Sequence, residues 1–151
     1  MTVFPQEERL LGLLGEAAEF ASQVIALERE QSKYLIADDL DAFNKSLDSV
    51  GGIIERMKGL HQETEPLMQS YASYYNSEGG SRIEAIDNAA QELVSLMEQC
   101  SAQSNSNLED AKDKANEFVR QIDDLSTKRK SVGIYAQSTG ESSSSVFDKK
   151  T

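Results

Sequence analysis

The sequence predicts an all-α protein, an elongated antiparallel helical bundle or coiled coil with a long C-terminal helix and a flexible tail. Apolar residues recur at alternating steps of three and four along most of the chain, which is the spacing of one helix face. Proline occurs twice, and the abundant Ala, Leu, Glu and Gln lose little rotamer freedom in a helix. We predict a bundle over residues 1–135, with helices at about 6–36, 39–62, 65–76 and 81–131.

The first predicted helix carries a wide apolar stripe. Its main line is Leu10, Leu13, Ala17, Phe20, Val24, Leu27, Gln31 and Tyr34. Further apolar residues widen the stripe on one side, so this helix should contact more than one neighbour, as in a bundle. Asp38 or Asp39 can then act as N-cap of the next helix. Because the break is so short, the first two helices should form an antiparallel hairpin.

The second predicted helix contains Gly51 and Gly52, which indicate either a close approach by another helix or a local bend. Pro66 follows, and its ring would clash with the carbonyl group of Gln62 in a continuous helix. We therefore predict a separate helix at 65–76 with Thr64 as its N-cap. A kinked continuation is the alternative.

Three tyrosines, Tyr71, Tyr74 and Tyr75, form the one aromatic cluster on this stretch. Their spacing places Tyr71 on the same helical face as one of the other two. They are either core residues or a patch that faces a partner, since tyrosine is common at interfaces.

The last predicted helix begins with Ser81 and Glu84, which match a capping box. Its apolar rhythm fades across residues 101–107, and we expect that section to be the weakest. Beyond residue 108 the large apolar residues become sparse, and the residues after about 108 should be less stably folded than the first two helices. Residues 136–151 are rich in Ser and predicted to be a flexible tail, because they cannot bury enough apolar surface to become ordered.

Composition argues against several classes of function. The formal net charge is −11, so nucleic acid is a poor partner. The basic cluster Lys128, Arg129 and Lys130 is interpreted as complementing the dipole of a helix C-terminus. No stretch approaches the ~18 apolar residues that span a bilayer, and no basic leader precedes a hydrophobic run. We therefore expect a soluble, cytoplasmic protein that does not bind a membrane.

The sequence also lacks the motifs in which residues for catalysis or metal binding usually occur. His61 and Cys100 are the chain's single histidine and single cysteine, and they fall on different predicted helices. Cys100 is interpreted as a small buried hydrophobe, and His61 as a polar residue near a helix end. Neither a calcium loop nor a di-iron Glu-x-x-His pair is present. We predict no enzymatic activity, no cofactor and no metal, with a carboxylate metal enzyme as the least favoured alternative.

The order of segments resembles the FlgN family of flagellar export chaperones. The resemblance lies in a leading helix with Ala26-Leu27-Glu28-Arg29-Glu30-Gln31, the acidic break Ala37-Asp38-Asp39-Leu40-Asp41-Ala42-Phe43, and a later long helix with Gln103-Ser104-Asn105-Ser106-Asn107-Leu108 at its middle. Tyr135-Ala136-Gln137-Ser138-Thr139-Gly140 and the Phe147-Asp148-Lys149-Lys150 tail add to it.

The resemblance implies a cytoplasmic type III export chaperone that binds the C-terminal helical region of hook–filament junction proteins and delivers them to the flagellar export gate. The family's gate contact is a tyrosine just after the last helix, a position that Tyr135 matches. On the last helix and beyond it, the predicted partner-binding residues are Phe118, Val119, Ile122, Leu125, Val132 and Ile134.

Two other functions remain open from the residues. One is a different helical export chaperone, whose client is the filament cap. The other is a structural coiled-coil protein without a client, which would form a stable homo-oligomer with its last helix buried by its own copies.

Overall fold

The computed structural model describes residues 3–139, with side-chain burial for residues 3–133. Three helices make up this part of the chain: α1 (Glu7–Ile36), α2 (Leu40–Tyr75) and α3 (Glu84–Thr139). The described residues contain no strand. The prediction of an all-α helical bundle is confirmed.

A tight turn joins α1 to α2. Asp38 adopts a left-handed backbone conformation with φ of 56°, which aspartate tolerates better than most residues. Asp39 is the N-cap of α2, and its Oδ1 accepts a hydrogen bond from the Ala42 backbone N–H at 3.1 Å. The expected hairpin is therefore present, and Asp39, rather than Asp38, caps the second helix.

Helix α2 continues through Pro66, so the predicted separate helix at 65–76 is wrong. The Thr64 hydroxyl bonds the Leu60 carbonyl oxygen at 2.6 Å within the helix, and it does not act as an N-cap. A proline inside a helix costs about 3 kcal/mol. Beyond the proline, Leu67 and Tyr71 pack into an apolar cluster, which offsets this cost because tertiary packing supplies most helical stability.

The loop between α2 and α3 is closed by Tyr71, whose hydroxyl accepts a hydrogen bond from the Ile83 backbone N–H at 2.8 Å. The same hydroxyl donates to Asp87 Oδ1 at 2.9 Å. Arg82 bonds both carboxylate oxygens of Asp87, at 2.9 and 3.0 Å. Helix α3 begins at Glu84, so the predicted capping box at Ser81 is wrong: the Tyr71 side chain satisfies the Ile83 amide that precedes the helix.

Two apolar clusters hold the helices together. The first lies at the α2–α3 loop end and contains the buried residues Phe4, Leu10, Leu14, Tyr71 and Ile86. The second contains Ala21, Val24, Ile25 and Cys100, with partly buried residues of α2 packed against it. These groupings make α2 antiparallel to α1, and they make the first part of α3 parallel to α1.

Tyr71, Tyr74 and Tyr75 are core residues, the first of the two alternatives that the sequence left open. Tyr71 is 1% exposed, and Tyr74 and Tyr75 are half-buried against the same cluster. The ring of Phe4 lies 5.6 Å from the Tyr71 ring and 5.5 Å from the Tyr74 ring, distances typical of favourable aromatic pairs. A partner-facing patch of tyrosines is not formed.

The pair Gly51 and Gly52 is exposed, and a Cβ atom at either position would meet nothing within 4 Å. No helix approaches closely at these positions, so the first of the two predicted explanations is wrong.

The chain divides into two units, Met1–Asp110 and Ala111–Thr151, and the division falls within α3. Helix α3 ends at Thr139, beyond the predicted end at 131, and it includes residues 136–139 that were predicted to belong to the tail. Lys128, Arg129 and Lys130 therefore lie inside the helix and not at its C-terminus. The rest of the predicted tail, 140–151, lies outside the described residues.

Helix α1 passes a simple test for a membrane-spanning helix, contrary to the sequence prediction. An 18-residue window of α1 has a mean hydropathy of 1.4, and 39% of the window is buried inside the protein. A core helix of a soluble protein passes the same test, and α1 supplies eight of the twelve buried hydrophobic residues in the described part of the chain. One such helix near the N-terminus is weak evidence for a membrane protein.

Candidate functional site

The predicted partner-binding residues on α3 are exposed wherever the structure describes them. We call Phe118, Val119, Ile122, Leu125 and Val132 the α3 stripe; they are between 50% and 65% exposed. Large apolar side chains at this exposure lose the favourable free energy that burial would supply, roughly 25 cal/mol for each Å² left in water. The stripe is therefore an apolar surface that can gain free energy by being covered.

The spacing of the stripe is that of a helix-binding seam. Phe118, Ile122, Leu125 and Val132 are separated by steps of four, three and seven, so they lie along one side of α3. Between Glu117 and Ser131, the positions outside the stripe are all charged or polar, for example Arg120. A seam of this kind matches another helix in a coiled-coil arrangement.

Two predicted site residues lie in α3 but without a described side chain. Ile134 and Tyr135 are within the helical backbone, which ends at Thr139. The sequence interpretation placed Tyr135 just after the last helix; this placement is wrong, because the helix passes through it.

An apolar groove that sequence analysis missed lies between α2 and α3, with α1 as its floor. Its volume is about 630 Å³. We call it the α2–α3 groove, and it is lined by Ala17, Val24, Glu28, Ile54, Met57, Lys58, His61, Gln62, Thr64, Leu93, Met97, Cys100, Ser101 and Ser104. Ile54 and Met97 remain 41% and 45% exposed on its walls. The apolar wall residues Ile54, Met57, Leu93 and Met97 fit ordinary helical stripes, so only the packing of the three helices reveals the groove.

A buried polar layer closes one end of the packed region. Asn107 is 4% exposed, and its Nδ2 donates to the Glu28 backbone oxygen at 2.7 Å and to Gln31 Oε1 at 3.1 Å. Gln103 Nε2 donates to Asn107 Oδ1 at 3.0 Å. The layer bonds α3 to α1 in one register, because a shift along either helix would leave buried polar groups without partners.

Glu28 is a buried carboxyl group beside this layer, 4% exposed and lining the groove. Burial raises its pKa above the ordinary value, and a hydrogen bond with Ser104 partly opposes that change. A buried carboxyl group with a raised pKa can act as a general acid only where a reacting group lies within reach.

His61 and Cys100 line the same groove, a proximity that the sequence analysis did not predict. Cys100 is buried, its Sγ donates to the Ala21 carbonyl oxygen at 3.4 Å, and burial together with nearby Glu28 raises the pKa of the thiol. A reactive cysteine needs a lowered pKa, so this thiol is poorly suited to nucleophilic attack. Its predicted role as a buried hydrophobe agrees with this packing.

His61 lies in the middle of α2, and the prediction that it sits near a helix end is wrong. Its Nε2 is 3.6 Å from Glu65 Oε2 in an exposed pair. Within residues 3–139, no group of three or more His, Cys, Asp or Glu side chains is arranged to hold a metal ion.

Comparisons of this chain with protein-family models, with curated proteins and with solved structures gave no match. The two surfaces described above, the α3 stripe and the α2–α3 groove, are the features from which a function can be argued.

Proposed function

We propose that this protein is a cytoplasmic export chaperone of the FlgN type. Its α3 stripe binds the C-terminal helical region of hook–filament junction proteins, and the chaperone delivers them to the flagellar export gate. The observation that carries the proposal is the exposure of Phe118, Val119, Ile122, Leu125 and Val132 along one side of a helix.

The physical basis is the pairing of amphipathic helices. A subunit that assembles through a helix must keep the apolar face of that helix covered before assembly, and a second apolar seam provides the cover. The stripe presents Phe118 near one end and Val132 near the other, a distance of about 21 Å along a helix. About four turns of a client helix can therefore contact it at once.

The charge of the chain also suits a carrier. Residues 1–110 hold seven basic and 20 acidic side chains, a formal charge of −13. Net charge of this size favours solubility and suppresses nonspecific association. Binding that depends on a limited apolar seam is reversible, as a carrier that releases its client requires.

Tyr135 is proposed as the contact to the export gate, on the resemblance alone. Replacing it with alanine should reduce delivery of a client to the gate while leaving client binding unchanged. A loss of client binding in this variant would contradict the separation of the two roles.

Isothermal titration of the full chain with C-terminal fragments of the same organism's junction proteins tests the proposal. We expect micromolar or tighter binding, and Phe118→Ala should weaken it by about tenfold, since truncating a buried interface aromatic costs more than 1 kcal/mol. Val94→Ala is the matched control, because Val94 is also exposed on α3, at 57%, but lies outside the stripe and the groove.

The same titration separates the alternatives. Truncation after Lys130 removes Val132 and everything beyond, so an effect of truncation without an effect of Phe118→Ala would place the site in the last residues. Binding to the filament-cap protein alone would assign the other client. Absence of binding to every candidate would favour the client-free coiled coil, which the seam spacing of the stripe also permits.

A further inference from the structure

The α2–α3 groove has the dimensions of a binding site for a fourth helix. Its walls are α2 between Ile54 and Thr64 and α3 between Leu93 and Ser104, and α1 lies beneath. At about 1.5 Å per residue, each wall is about 15 Å long, which corresponds to roughly three helical turns. A helix that presents one apolar side would bury both Ile54 and Met97.

The α3 stripe of a second molecule matches this groove in length. The distance from Phe118 to Leu125 along a helix is about 10 Å, within the length of the groove. Phe118, Ile122 and Leu125 lie on one side of their helix, which is the arrangement that a three-walled groove accepts. Both surfaces are apolar and exposed in the single chain.

Charge complementarity also favours this occupant. Residues 1–110 carry a formal charge of −13, whereas residues 111–133 hold six basic and four acidic side chains, a charge of +2. The local attraction between the 111–133 segment of one molecule and the acidic first unit of another therefore favours this contact over one between two first units.

We propose that the α2–α3 groove is a self-association site, in which the 111–133 segment of a second copy of this chain places its Phe118, Ile122 and Leu125. Because the described part of each copy supplies both a groove and a stripe, a reciprocal exchange would form a twofold dimer that buries both apolar surfaces twice. The proposal does not rest on the export function and stands if no client is found.

Sedimentation equilibrium of the full chain across a wide concentration range tests the proposal. We expect a concentration-dependent change from the 16.7 kDa monomer to twice that mass.

Two variants locate the interface. Met97→Glu places a charge on the groove wall, and Ile122→Glu places one on the stripe; both residues are about half exposed, so neither change should disturb the fold of the monomer. Each should weaken the dimer by on the order of a hundredfold, since a charge would be buried in an apolar contact. Val94→Glu on α3, outside the groove, should leave the dimer intact. Circular dichroism and thermal unfolding check that all three variants are folded.

Mixing the two variants gives the decisive result. The Met97→Glu chain keeps an intact stripe and the Ile122→Glu chain keeps an intact groove, so the mixture should form heterodimers where neither variant associates alone. A dimer that survives Met97→Glu would show stripe pairing with stripe and overturn the proposal. A monomer at every concentration, or a mixture that stays monomeric at the highest concentration, would overturn it as well.

The two proposals fail separately. Met97→Glu should retain client binding in titration, because the client site is the α3 stripe, while it loses the dimer. The Phe118→Ala chain should show weaker client binding and a weaker dimer, because both contacts use the stripe. If it lost client binding but kept the dimer, the stripe would not be shared by the two contacts.

Discussion

Helix α3 has the same apolar spacing before and after Asp110, but the two parts have different surroundings. In the first unit, Ile86 and Cys100 on α3 are buried against α1 and α2. In residues 111–133, the large apolar residues are at least half exposed. An apolar seam on a helix therefore indicates that the helix packs against a partner, but it does not specify whether that partner belongs to the same molecule.

The largest expected difference between the two regions is in amide hydrogen exchange. Amides in the buried parts of α1 and α3 should exchange slowly, with opening free energies that approach that of global unfolding and exceed those of exposed segments by several kcal/mol. Residues 111–133 should exchange much faster, because few buried contacts oppose local opening there. Uniform protection along α3 at low protein concentration would contradict this, and faster exchange at low than at high concentration would point to association.

Matched leucine substitutions sharpen the comparison. Leu10 is fully buried and Leu125 is 65% exposed. We expect Leu10→Ala to lower the free energy of unfolding by about 2–5 kcal/mol, through lost burial and the cavity that remains. Leu125→Ala should change it by less than about 0.5 kcal/mol. Urea unfolding of dilute protein measures both, and equal losses would show that residues 111–133 are packed in the monomer.

Matched asparagines test the polar layer at the boundary. Asn107→Ala leaves the Glu28 carbonyl and Gln31 Oε1 without their buried donor, which should cost about 1–3 kcal/mol. Asn105→Ala, at an exposed position two residues earlier, should have little effect. Equal behaviour of the two variants in the same unfolding experiment would mean that the layer contributes nothing to stability.

The smallest effect concerns the pH dependence of the first unit. Burial raises the pKa of Glu28 in the folded protein, so the folded state holds that proton more tightly than the unfolded state. The contribution of Glu28 to stability should therefore fall as pH rises from the ordinary glutamate range through the raised pKa. The Glu28→Gln variant lacks this dependence. When the free energy of unfolding is measured from pH 4 to pH 8, the wild type should lose stability relative to the variant as the pH rises toward neutral. A difference that is constant with pH would contradict the assignment.

The helical pattern allowed the fold class, α1 and a cap at Asp38 or Asp39 to be predicted from local rules. Pro66 misled because a local clash of about 3 kcal/mol is outweighed by packing of residues such as Tyr71, which are distant in sequence from α1. Ser81 misled for a similar reason, since the Ile83 amide finds the Tyr71 hydroxyl instead. Such partners are set by tertiary contacts that a single helical period does not encode.

The stripe could be predicted from local sequence, whereas the groove could not. The stripe from Phe118 to Val132 follows from spacing within one helix, so sequence analysis could name it. The groove requires the relative positions of three helices, and its wall residues Ile54 and Met97 look like ordinary core positions in their own stripes. Asn107 lies in the polar stretch that sequence analysis predicted to be the weakest section of the last helix. It is seven residues from Cys100, which is about two helical turns, and it therefore lies on the buried side of α3.

The buried thiol of Cys100 has a practical consequence. As the chain's single cysteine, it gives any thiol-specific reagent one target, and that target lies at the junction of α1, α3 and the groove. Its alkylation rate is set by how often the first unit opens, multiplied by the reactivity of the exposed thiol. The rate of Cys100 alkylation therefore reports opening of the first unit, and no further cysteine has to be introduced for the measurement.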